Sequence, residues 1–452
     1  MNTTEHSDAG QSPAPGSPAF CDGHSLSIAA RRSPETAWSR KVLLTTLLGF
    51  AFFSPWSISG AQVCLGLGLF SWMVSLLAGH RRRVVRSALF WPMVAYLGLQ
   101  LFSVLLSPDL VEGLRAFRAE WIILLYFLVI NVVDDDHQIR RLVGILVLST
   151  VLVSLYAIWQ HWSGWDLYRQ RPLRATGSFF EATGLFGHHL TFGGYLMMVL
   201  VLSVSLSIFG TRGRTRLFYA LSSGVLFLTL LFSYARSAWI GFLAGALGMA
   251  ILWGRRTLFV VLLGIAVMMV VAALSLPSMR LQVGELVDLI QGPMTQHHRL
   301  QMWSAAWQLI LDHPFFGAGA GQASQLLPAY GCDLGYAHLH NDLINVAANS
   351  GLLGLAAFLW IWATFLRHTA RCHRRLRSSP WNAAIAAAGF GIVIAVLVAG
   401  QFQCYYTDAE DGMLLWLLMG LVLAGCPGKK DRGDLVTSRL TVPDRTGEDR
   451  RT

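Results

Sequence analysis

The feature that most constrains this chain is a series of long apolar segments. From Lys41 onward, segments of roughly 17 to 21 residues recur, each long enough at about 1.5 Å per residue to cross a hydrocarbon core of about 30 Å. Only 13% of the 452 residues are charged, which is about half the share found in soluble proteins and leaves too little polar surface to cover soluble domains. The sequence therefore predicts an all-α, polytopic membrane protein. The 12% aromatic content excludes general disorder, and six cysteines are too few for a disulfide scaffold.

Twelve segments are predicted to span the membrane. The chain then divides into a disordered cytoplasmic tail over 1–40, nine spans over 41–276, a long and partly helical periplasmic loop over 277–345, three spans over 346–426, and a second cytoplasmic tail over 427–452. The predicted spans are 41–59, 60–79, 87–107, 119–133, 142–161, 189–209, 217–233, 238–253, 257–276, 346–366, 381–400 and 412–426.

The distribution of basic residues predicts the orientation of these spans. All but eight of the 35 Lys and Arg residues fall in the two tails and in alternate loops. Loops rich in Lys and Arg remain in the cytoplasm, so this face is predicted to be cytoplasmic. These residues are interpreted as topology signals. The net charge of +10 therefore does not indicate nucleic-acid binding, and no nucleic-acid partner is expected.

The eight remaining basic residues, which fall on the outer face, are all arginines. Arginine carries a planar, permanently charged fork that binds phosphate in a bidentate manner, so this set predicts an anionic, phosphate-bearing ligand. Arg236 carries the most weight because it lies between two spans, close to membrane depth, where a charge costs about 2.5 to 3.5 kcal/mol. The alternative is an arginine that snorkels to lipid head groups. The eight are Arg115, Arg118, Arg169, Arg171, Arg174, Arg236, Arg280 and Arg299.

Two outer segments lie outside the spans. Residues 162–188 combine aromatic, Arg and Gly residues, a mixture that suits a sugar phosphate. Residues 277–345 form the longest loop, and loops of that length usually have a function. Residues 314–321 within it are rich in glycine and are interpreted as a mobile turn only.

Within the longer loop, residues 298–312 are predicted to form a helix on or over the membrane surface. Leu300, Trp303, Trp307 and Ile310 recur at spacings of three and four, which places them on one helical face. Arg299 would lie near the N-terminus of this helix. A cation is unfavourable there unless an anion is shared between the side chain and the backbone N–H groups, which again indicates phosphate.

The loop ends in two histidines, His338 and His340. Neutral imidazole is the usual general base near pH 7, so either residue is a candidate catalytic base. Metal ligation together with Asp333 and Asp342 is an alternative, and a purely structural role remains open for either histidine. Cys332 and Cys404 both fall on the outer face, where an oxidising compartment would allow a disulfide.

A spaced motif follows these histidines. His340 is followed by Asn341, then after nine residues by Gly351, and after two more by Gly354. With the segments around Arg174, Arg236 and Arg299, this motif resembles the O-antigen ligase and polymerase superfamily, and most closely the O-antigen ligases. The resemblance covers about residues 40–426.

This resemblance implies a glycosyltransferase that acts in lipopolysaccharide biosynthesis. It would transfer O-antigen polysaccharide from undecaprenyl diphosphate to a sugar hydroxyl of lipid A-core, on the periplasmic face of the Gram-negative inner membrane. Arg174, Arg236 and Arg299 would bind the diphosphate, and His340 or His338 would remove the acceptor proton. The transfer would invert the anomeric centre without metal or cofactor. The expected partners are the lipid-linked O-antigen, lipid A-core and membrane lipids.

Three alternatives remain at this stage. The first is an O-antigen polymerase, which would use a growing glycan as its acceptor. The second is a protein O-oligosaccharyltransferase. The third, from a different class, is a transporter for an anionic substrate that binds its ligand through the outer arginines. The sequence leaves open the identity of the glycan, the acceptor sugar and the oligomeric state.

Overall fold

The computed structural model describes residues 34–78, 87–257, seven positions between 259 and 270, 293–335 and 338–426. These parts of the chain are mostly helical, as the all-α prediction requires. The α-helices in these parts are α1 (Pro34–Phe53), α2 (Ile58–Leu77), α3 (Phe90–Leu105), α4 (Leu110–Ala119), α5 (Leu124–Val132), α6 (Asp136–Ser163), α7 (His189–Ser205), α8 (Gly213–Phe232), α9 (Arg236–Trp253), α10 (Pro293–Asp312), α11 (Ala323–Leu326), α12 (Asp342–Arg375), α13 (Pro380–Ala399) and α14 (Ala409–Ala424).

Shorter elements join these helices. A 3₁₀ turn over Glu120–Ile123 leads into α5, a π turn over Leu206–Gly210 extends α7, and a second 3₁₀ turn over Leu327–Tyr330 follows α11. Between α6 and α7 the chain forms two small antiparallel hairpins. Strand β1 (Trp165–Asp166) pairs with β2 (Arg171–Pro172), and β3 (Ala175–Thr176) pairs with β4 (Phe179–Phe180).

Seven helices among the described residues are long and apolar enough to cross a membrane. They are α2, α6, α7 with its π turn, α8, α9, α12 and α13, and they coincide with seven of the predicted spans. Four further predicted spans coincide with helices that are shorter or more polar, namely α1, α3, α5 and α14. The predicted span at 257–276 lies largely outside the described residues. The chain is thus a multi-pass membrane protein, and the total of twelve spans stays a prediction.

Local sequence signals set the ends of several helices. The side chain of Asp135 accepts the Gln138 N–H at 2.8 Å at the start of α6, and the side chain of Asn341 accepts the Ile344 N–H at 3.0 Å at the start of α12. Helix α6 ends at Gly164, whose φ of 72° is left-handed. A Cβ at this position would lie 2.6 Å from the Phe180 ring, so glycine allows the hairpins to fold against the helix end.

The helices alternate in direction, so their connections gather at two ends of the bundle. At the first, which we call the basic end, α1, α6, α9, α12 and α13 begin or finish. There Arg40 pairs with Asp134 at 2.8 Å, and Arg377 donates to the Leu252 carbonyl at 3.2 Å. The loops that the charge pattern assigned to the cytoplasm therefore contact one another in the structure.

The opposite end, which we call the site end, carries the hairpins, the segments 313–335 and 338–341 and the first turns of α7, α9, α12 and α14. Contacts distant in sequence join these parts. Thr191 donates to Asp408 at 2.8 Å, and Ser103 donates to the Asn349 carbonyl at 2.7 Å. The loops predicted to share the outer face thus share one end of the bundle.

Small residues allow α9 and α13 to approach closely in the bundle interior. A Cβ on Gly245 would lie 2.6 Å from the Gly391 carbonyl oxygen, and one on Gly241 would lie 2.8 Å from the Ala395 carbonyl oxygen. Glycine and alanine at helix contacts are typical of membrane bundles, where close packing rather than exclusion of water drives association. This contact fixes the position of α9, whose first residue is Arg236.

Helix α12 is interrupted at Gly351, whose φ of 71° and ψ of −177° are not helical. The interruption frees backbone N–H groups, and Leu352 N–H donates to the Pro314 carbonyl at 2.8 Å. In return, Ala318 N–H donates to the Ala348 carbonyl at 2.9 Å. Residues 314–321 are therefore anchored to the interrupted helix, and their interpretation as only a mobile turn is wrong. A Cβ on Gly351 would lie 2.2 Å from the Phe315 carbonyl oxygen, so the contact requires glycine.

The predicted helix over 298–312 is confirmed as the main part of α10. Its predicted face lies at the edge of the buried surface, since Ile310 is buried while Leu300 and Trp307 are 58% and 59% exposed. The rest of the buried face is built from Met, Leu and alanines that pack against α11 and α12. Trp303 is half-buried and donates to the Leu339 carbonyl at 2.9 Å.

Helix α4 was not predicted and lies at the site end. Asp109 caps it by accepting the Val111 N–H at 2.9 Å. Leu110, Val111 and Leu114 are all at least 50% exposed, whereas Phe117 lies on the inner side and lines a cavity. Helix α4 therefore presents apolar side chains outward and forms one wall of the site end.

Candidate functional site

The two candidate histidines lie side by side in the short segment that precedes α12. Their ring centroids are 4.3 Å apart with the planes at 78°, an edge-to-face arrangement. His340 adopts a left-handed φ of 49°, which is uncommon for a residue with a side chain. Leu339 lies between the two histidines in the chain, and its carbonyl accepts a hydrogen bond from Trp303, which anchors this segment to α10. Such strain in a well-anchored segment is typical of functional sites.

The hydrogen bonds of the two imidazoles differ. His340 Nδ1 lies 2.7 Å from Oε1 of Gln403, which follows α13. A carbonyl oxygen only accepts, so Nδ1 of His340 carries the proton and Nε2 is its basic nitrogen. In His338, Nδ1 accepts the backbone N–H of His340 at 3.4 Å, which places the proton of the neutral ring on Nε2. The pair therefore presents opposite tautomers.

Both imidazoles are neutral near pH 7. Burial, together with the charge of the neighbouring His340, lowers the pKa of His338 to about 4. Burial also lowers the pKa of His340, and the nearby guanidinium of Arg299 acts in the same direction. A neutral imidazole can accept a proton, so the environment keeps His340 in the form that a general base requires.

Arg174 and Arg236 both lie near the carboxylate of Glu181. Arg174 Nε lies 3.7 Å from Oε1 of Glu181, and the Arg174 side chain is 78% exposed and thus accessible to a ligand. Burial raises the pKa of Glu181, and the charges of Arg174 and Arg236 lower it. Because all three predicted arginines lie near either Glu181 or His340, the structure brings them together with the histidines at the site end.

Local structure explains how Arg174 and Arg236 reach the same place. Arg174 lies between the two hairpins, and Glu181 directly follows β4. His189 Nε2 lies 3.4 Å from Oε2 of Glu181, while its Nδ1 lies 2.8 Å from the Ser233 carbonyl. His189 thus connects the hairpins to the turn before α9. Arg236 is the first residue of α9, where no side chain caps the helix and the positive end of its dipole adds to the arginine charge.

Several residues of this site were missed by the sequence reasoning. His188 lies between Glu181 and the pair formed by His338 and His340. The charge of His188 lowers the pKa of His338, and the charge of Glu181 raises the pKa of His188. Asp408 accepts from Thr191 and also raises the pKa of His188. The adjacent His188 and His189 at the end of the arginine-rich segment were a visible signal. Glu181 and Gln403 had no comparable signal.

The other outer arginines have different surroundings. Arg169 and Arg171 lie 3.7 Å and 4.0 Å from the buried carboxylate of Asp166, within the first hairpin. Arg115 pairs with Glu112 on α4. Arg118 also lies on α4, and Arg280 lies outside the described residues. Arg115, Arg169 and Arg171 are therefore each engaged with a carboxylate of their own segment, and phosphate binding by Arg174, Arg236 and Arg299 stays a prediction.

The alternative metal set does not assemble. The carboxylate of Asp342 accepts the backbone N–H groups of Tyr405 and Tyr406, each at 3.2 Å, and Asp333 is exposed. In the part of the chain that the structure describes, no group of three or more His, Cys, Asp or Glu side chains is arranged to hold a metal ion. Cys332 and Cys404 are both free thiols, so the considered disulfide is not formed.

Comparison with known proteins gives one finding for this region. Residues 221–359 match the family model described as O-antigen ligase. The match includes Arg236, Arg299, His338 and His340, and confirms the resemblance to the O-antigen ligase family. It supports a function of the O-antigen ligase or polymerase type, with a glycosyltransferase-like activity. A search of curated proteins found no match to the chain.

Proposed function

We propose that this protein is an O-antigen ligase of the Gram-negative inner membrane. It transfers O-antigen polysaccharide from undecaprenyl diphosphate to a sugar hydroxyl of lipid A-core at the periplasmic face. The observation that carries the proposal is the arrangement at His340. Its neutral imidazole is oriented by Gln403 and lies near Arg299, while Arg174 and Arg236 lie near Glu181 at the same end.

The arginines suit the diphosphate of the donor. Arg174, Arg236 and Arg299 provide planar forks that bind phosphate oxygens, and the uncapped N-terminus of α9 adds the positive end of its dipole. Negative charge grows on the diphosphate as it leaves. Fixed positive groups at that position stabilise the transition state more than the bound substrate, and this kind of stabilisation is usually the largest catalytic contribution.

His340 removes the proton of the acceptor. The acceptor hydroxyl oxygen forms a bond to the anomeric carbon of the glycan, and Nε2 of His340 takes the hydroxyl proton. The bond between the anomeric carbon and the diphosphate oxygen breaks, and its electron pair leaves with the diphosphate. A positioned base of this kind contributes about 10² to 10⁴ in rate. One displacement inverts the anomeric configuration and needs no metal.

The experiment uses purified protein in liposomes with undecaprenyl diphosphate-linked glycan and lipid A-core, in the presence of a chelator and without ATP. Gel electrophoresis resolves the products, and NMR of the new linkage gives its anomeric configuration. We expect a single transfer to lipid A-core with inversion.

Three results would contradict the proposal. A ladder of lengthened lipid-linked glycan would identify a polymerase, which shares the same chemistry. Loss of activity with the chelator, restored by a divalent cation, would contradict the metal-independent mechanism. Uptake of the donor without any transfer would favour a transporter.

A further inference from the structure

A cavity of about 300 Å³ opens next to His338, and neither Arg174 nor Arg236 lines it. Its walls come from α3, α4, the 3₁₀ turn at Glu120, the segment around Ala320 and the first turns of α12. The volume is at the lower end of the range for small-molecule sites, which suits a short piece of glycan rather than a long polymer. The cavity is therefore a second compartment beside the histidines.

The polar groups of this cavity are organised around Glu120. Its two carboxylate oxygens accept from the hydroxyls of Tyr96 and Tyr406 at 3.1 Å and 2.9 Å. The two oxygens of a carboxyl group carry more acceptor positions than two tyrosine hydroxyls occupy, so Glu120 keeps capacity for further donors. Asn345 also lines the cavity, and within the described parts of the chain its side-chain amide makes no hydrogen bond. The cavity thus offers acceptor and amide groups to a ligand rich in hydroxyls.

The charge of the cavity differs from that of the arginine group. None of Arg174, Arg236 and Arg299 lines it, and Glu120 is the one acidic residue among the described residues of its lining. A diphosphate binds best to arginine or lysine groups, which this lining does not include, so the donor head group is disfavoured there. The aromatic rings of Phe117 and Tyr406 add apolar surface against which the C–H face of a sugar ring can pack. These features together suit a neutral sugar.

We propose that this cavity binds the terminal sugar of the acceptor, with Glu120 as a specificity-determining residue. This inference rests on the proposed function. Glu120 accepts hydrogen bonds from sugar hydroxyls that do not react. Bound in this way, the reacting hydroxyl points past His338 toward the neighbouring imidazole of His340. The acceptor sugar and the donor diphosphate are therefore held by different residues next to the histidines.

The test compares substitutions of Glu120 with a matched control on the same side of the molecule. Glu120→Gln keeps the size of the side chain and removes the charged acceptor. Ser324→Trp fills the cavity from another part of its wall. If both variants have the same effect, loss of the hydrogen bonds around Glu120 cannot be its only cause. Glu112→Gln changes a glutamate of α4 that pairs with Arg115 and does not line the cavity.

Steady-state kinetics in liposomes then separate the two substrates. We expect Glu120→Gln and Ser324→Trp to raise the KM for lipid A-core by about 10- to 100-fold, as for lost hydrogen bonds to a charged group, with the KM for the lipid-linked donor unchanged. Glu112→Gln should alter neither constant. An unchanged acceptor KM in both cavity variants, or a raised donor KM, would overturn the proposal.

Calorimetric titration of detergent-solubilised protein with lipid A-core distinguishes failure of the cavity from failure of the proposed function. Binding that weakens in Glu120→Gln supports the cavity even if the unaltered protein transfers no glycan. Binding that is equal in the two proteins overturns the cavity assignment, whether or not transfer is observed.

Discussion

The two ends of the helical bundle use arginine in different ways. At the basic end, the arginines with a partner among the described residues each have a separate one. Arg140 lies over the Trp381 ring at 4.1 Å, and Arg40 pairs with Asp134. At the site end there are fewer arginines, but Arg174, Arg236 and Arg299 come from distant parts of the sequence and gather around His340 and Glu181. The number of positive charges at one end therefore indicates the membrane topology. Arginines that come together from distant parts of the sequence indicate a functional site.

The largest effect that would test this contrast is expected at His340. Replacing His340 by Ala removes the base and should lower the transfer rate by about 10² to 10⁴-fold. His338→Ala is the matched control. It should lower the rate much less, since the tautomer of His338 does not present a basic Nε2. Single-turnover transfer assays, with circular dichroism to verify folding, measure both. A larger loss in His338→Ala would assign the base to His338 instead.

The next largest effect on transfer is expected at Arg236, one of the arginines that come together at the site end. Arg236→Lys keeps the charge but loses the bidentate fork, and we expect transfer to fall by about 10² to 10³-fold, as for removal of one fixed transition-state donor. Arg377→Lys makes the same exchange at the basic end and should leave transfer unchanged. Initial rates at saturating acceptor give the comparison. If Arg236→Lys and Arg377→Lys gave equal rates, arginines at the site end would matter no more for transfer than arginines at the basic end.

The pH dependence of transfer tests the contact between Arg299 and His340. Burial and the Arg299 charge both hold the pKa of His340 below its ordinary value, so the unaltered protein should stay active below the pH at which a free histidine becomes protonated. Arg299→Gln removes the positive charge and raises the pKa of His340, so activity should be lost at a higher pH on the acid side. Profiles of kcat/KM from about pH 5 to 8 report this limb. If the acid side of the profile did not shift, the charge of Arg299 would not control the pKa of His340.

A stability measurement tests the backbone that supports the site end. Gly351→Ala places a side chain where the backbone conformation is almost restricted to glycine and where the Phe315 carbonyl lies 2.2 Å from the added carbon. We expect a loss of about 1 to 3 kcal/mol and a lower Tm. Gly144→Ala on α6 meets no atom within 4 Å and should have little effect. Similar Tm values for both variants would contradict the anchoring role of the interruption.

The smallest effect is expected for Arg374→Gln. Arg374 is exposed in the last turn of α12 at the basic end, among several other basic residues. Its loss should change neither transfer nor Tm, because one charge among many contributes little to orientation or stability. A large fall in transfer would show that the basic end takes part in the reaction.

The sequence predicted the features that depend on length and local pattern. Apolar segments identified the helices, and the outer arginines drew attention to Arg236, which lies at the N-terminus of α9. The partners of the site were not predictable in this way. Gln403 lies far from His340 in the chain, and packing of α13 beside α12 alone brings them together.

One error in the sequence reasoning has a physical cause. The glycine-rich segment after Pro314 was interpreted as mobile because its hydrogen-bond partner, the interruption at Gly351, lies in another predicted element. The error arises where contacts between elements override a local pattern. The large residues of α10 also gave no guide to its core, because Leu300 and Trp307 lie outside it while alanines and Ile310 pack inside.

Helix α4 has a consequence for how the acceptor arrives. It is a wall one helix thick, with Leu110, Val111 and Leu114 on its outer surface and the cavity behind it. Under the proposed function, an acceptor that keeps its lipid in the bilayer reaches this wall by lateral diffusion. The effective concentration of acceptor is then set by its surface density in the leaflet, and added phospholipid slows transfer even when the bulk concentration is constant.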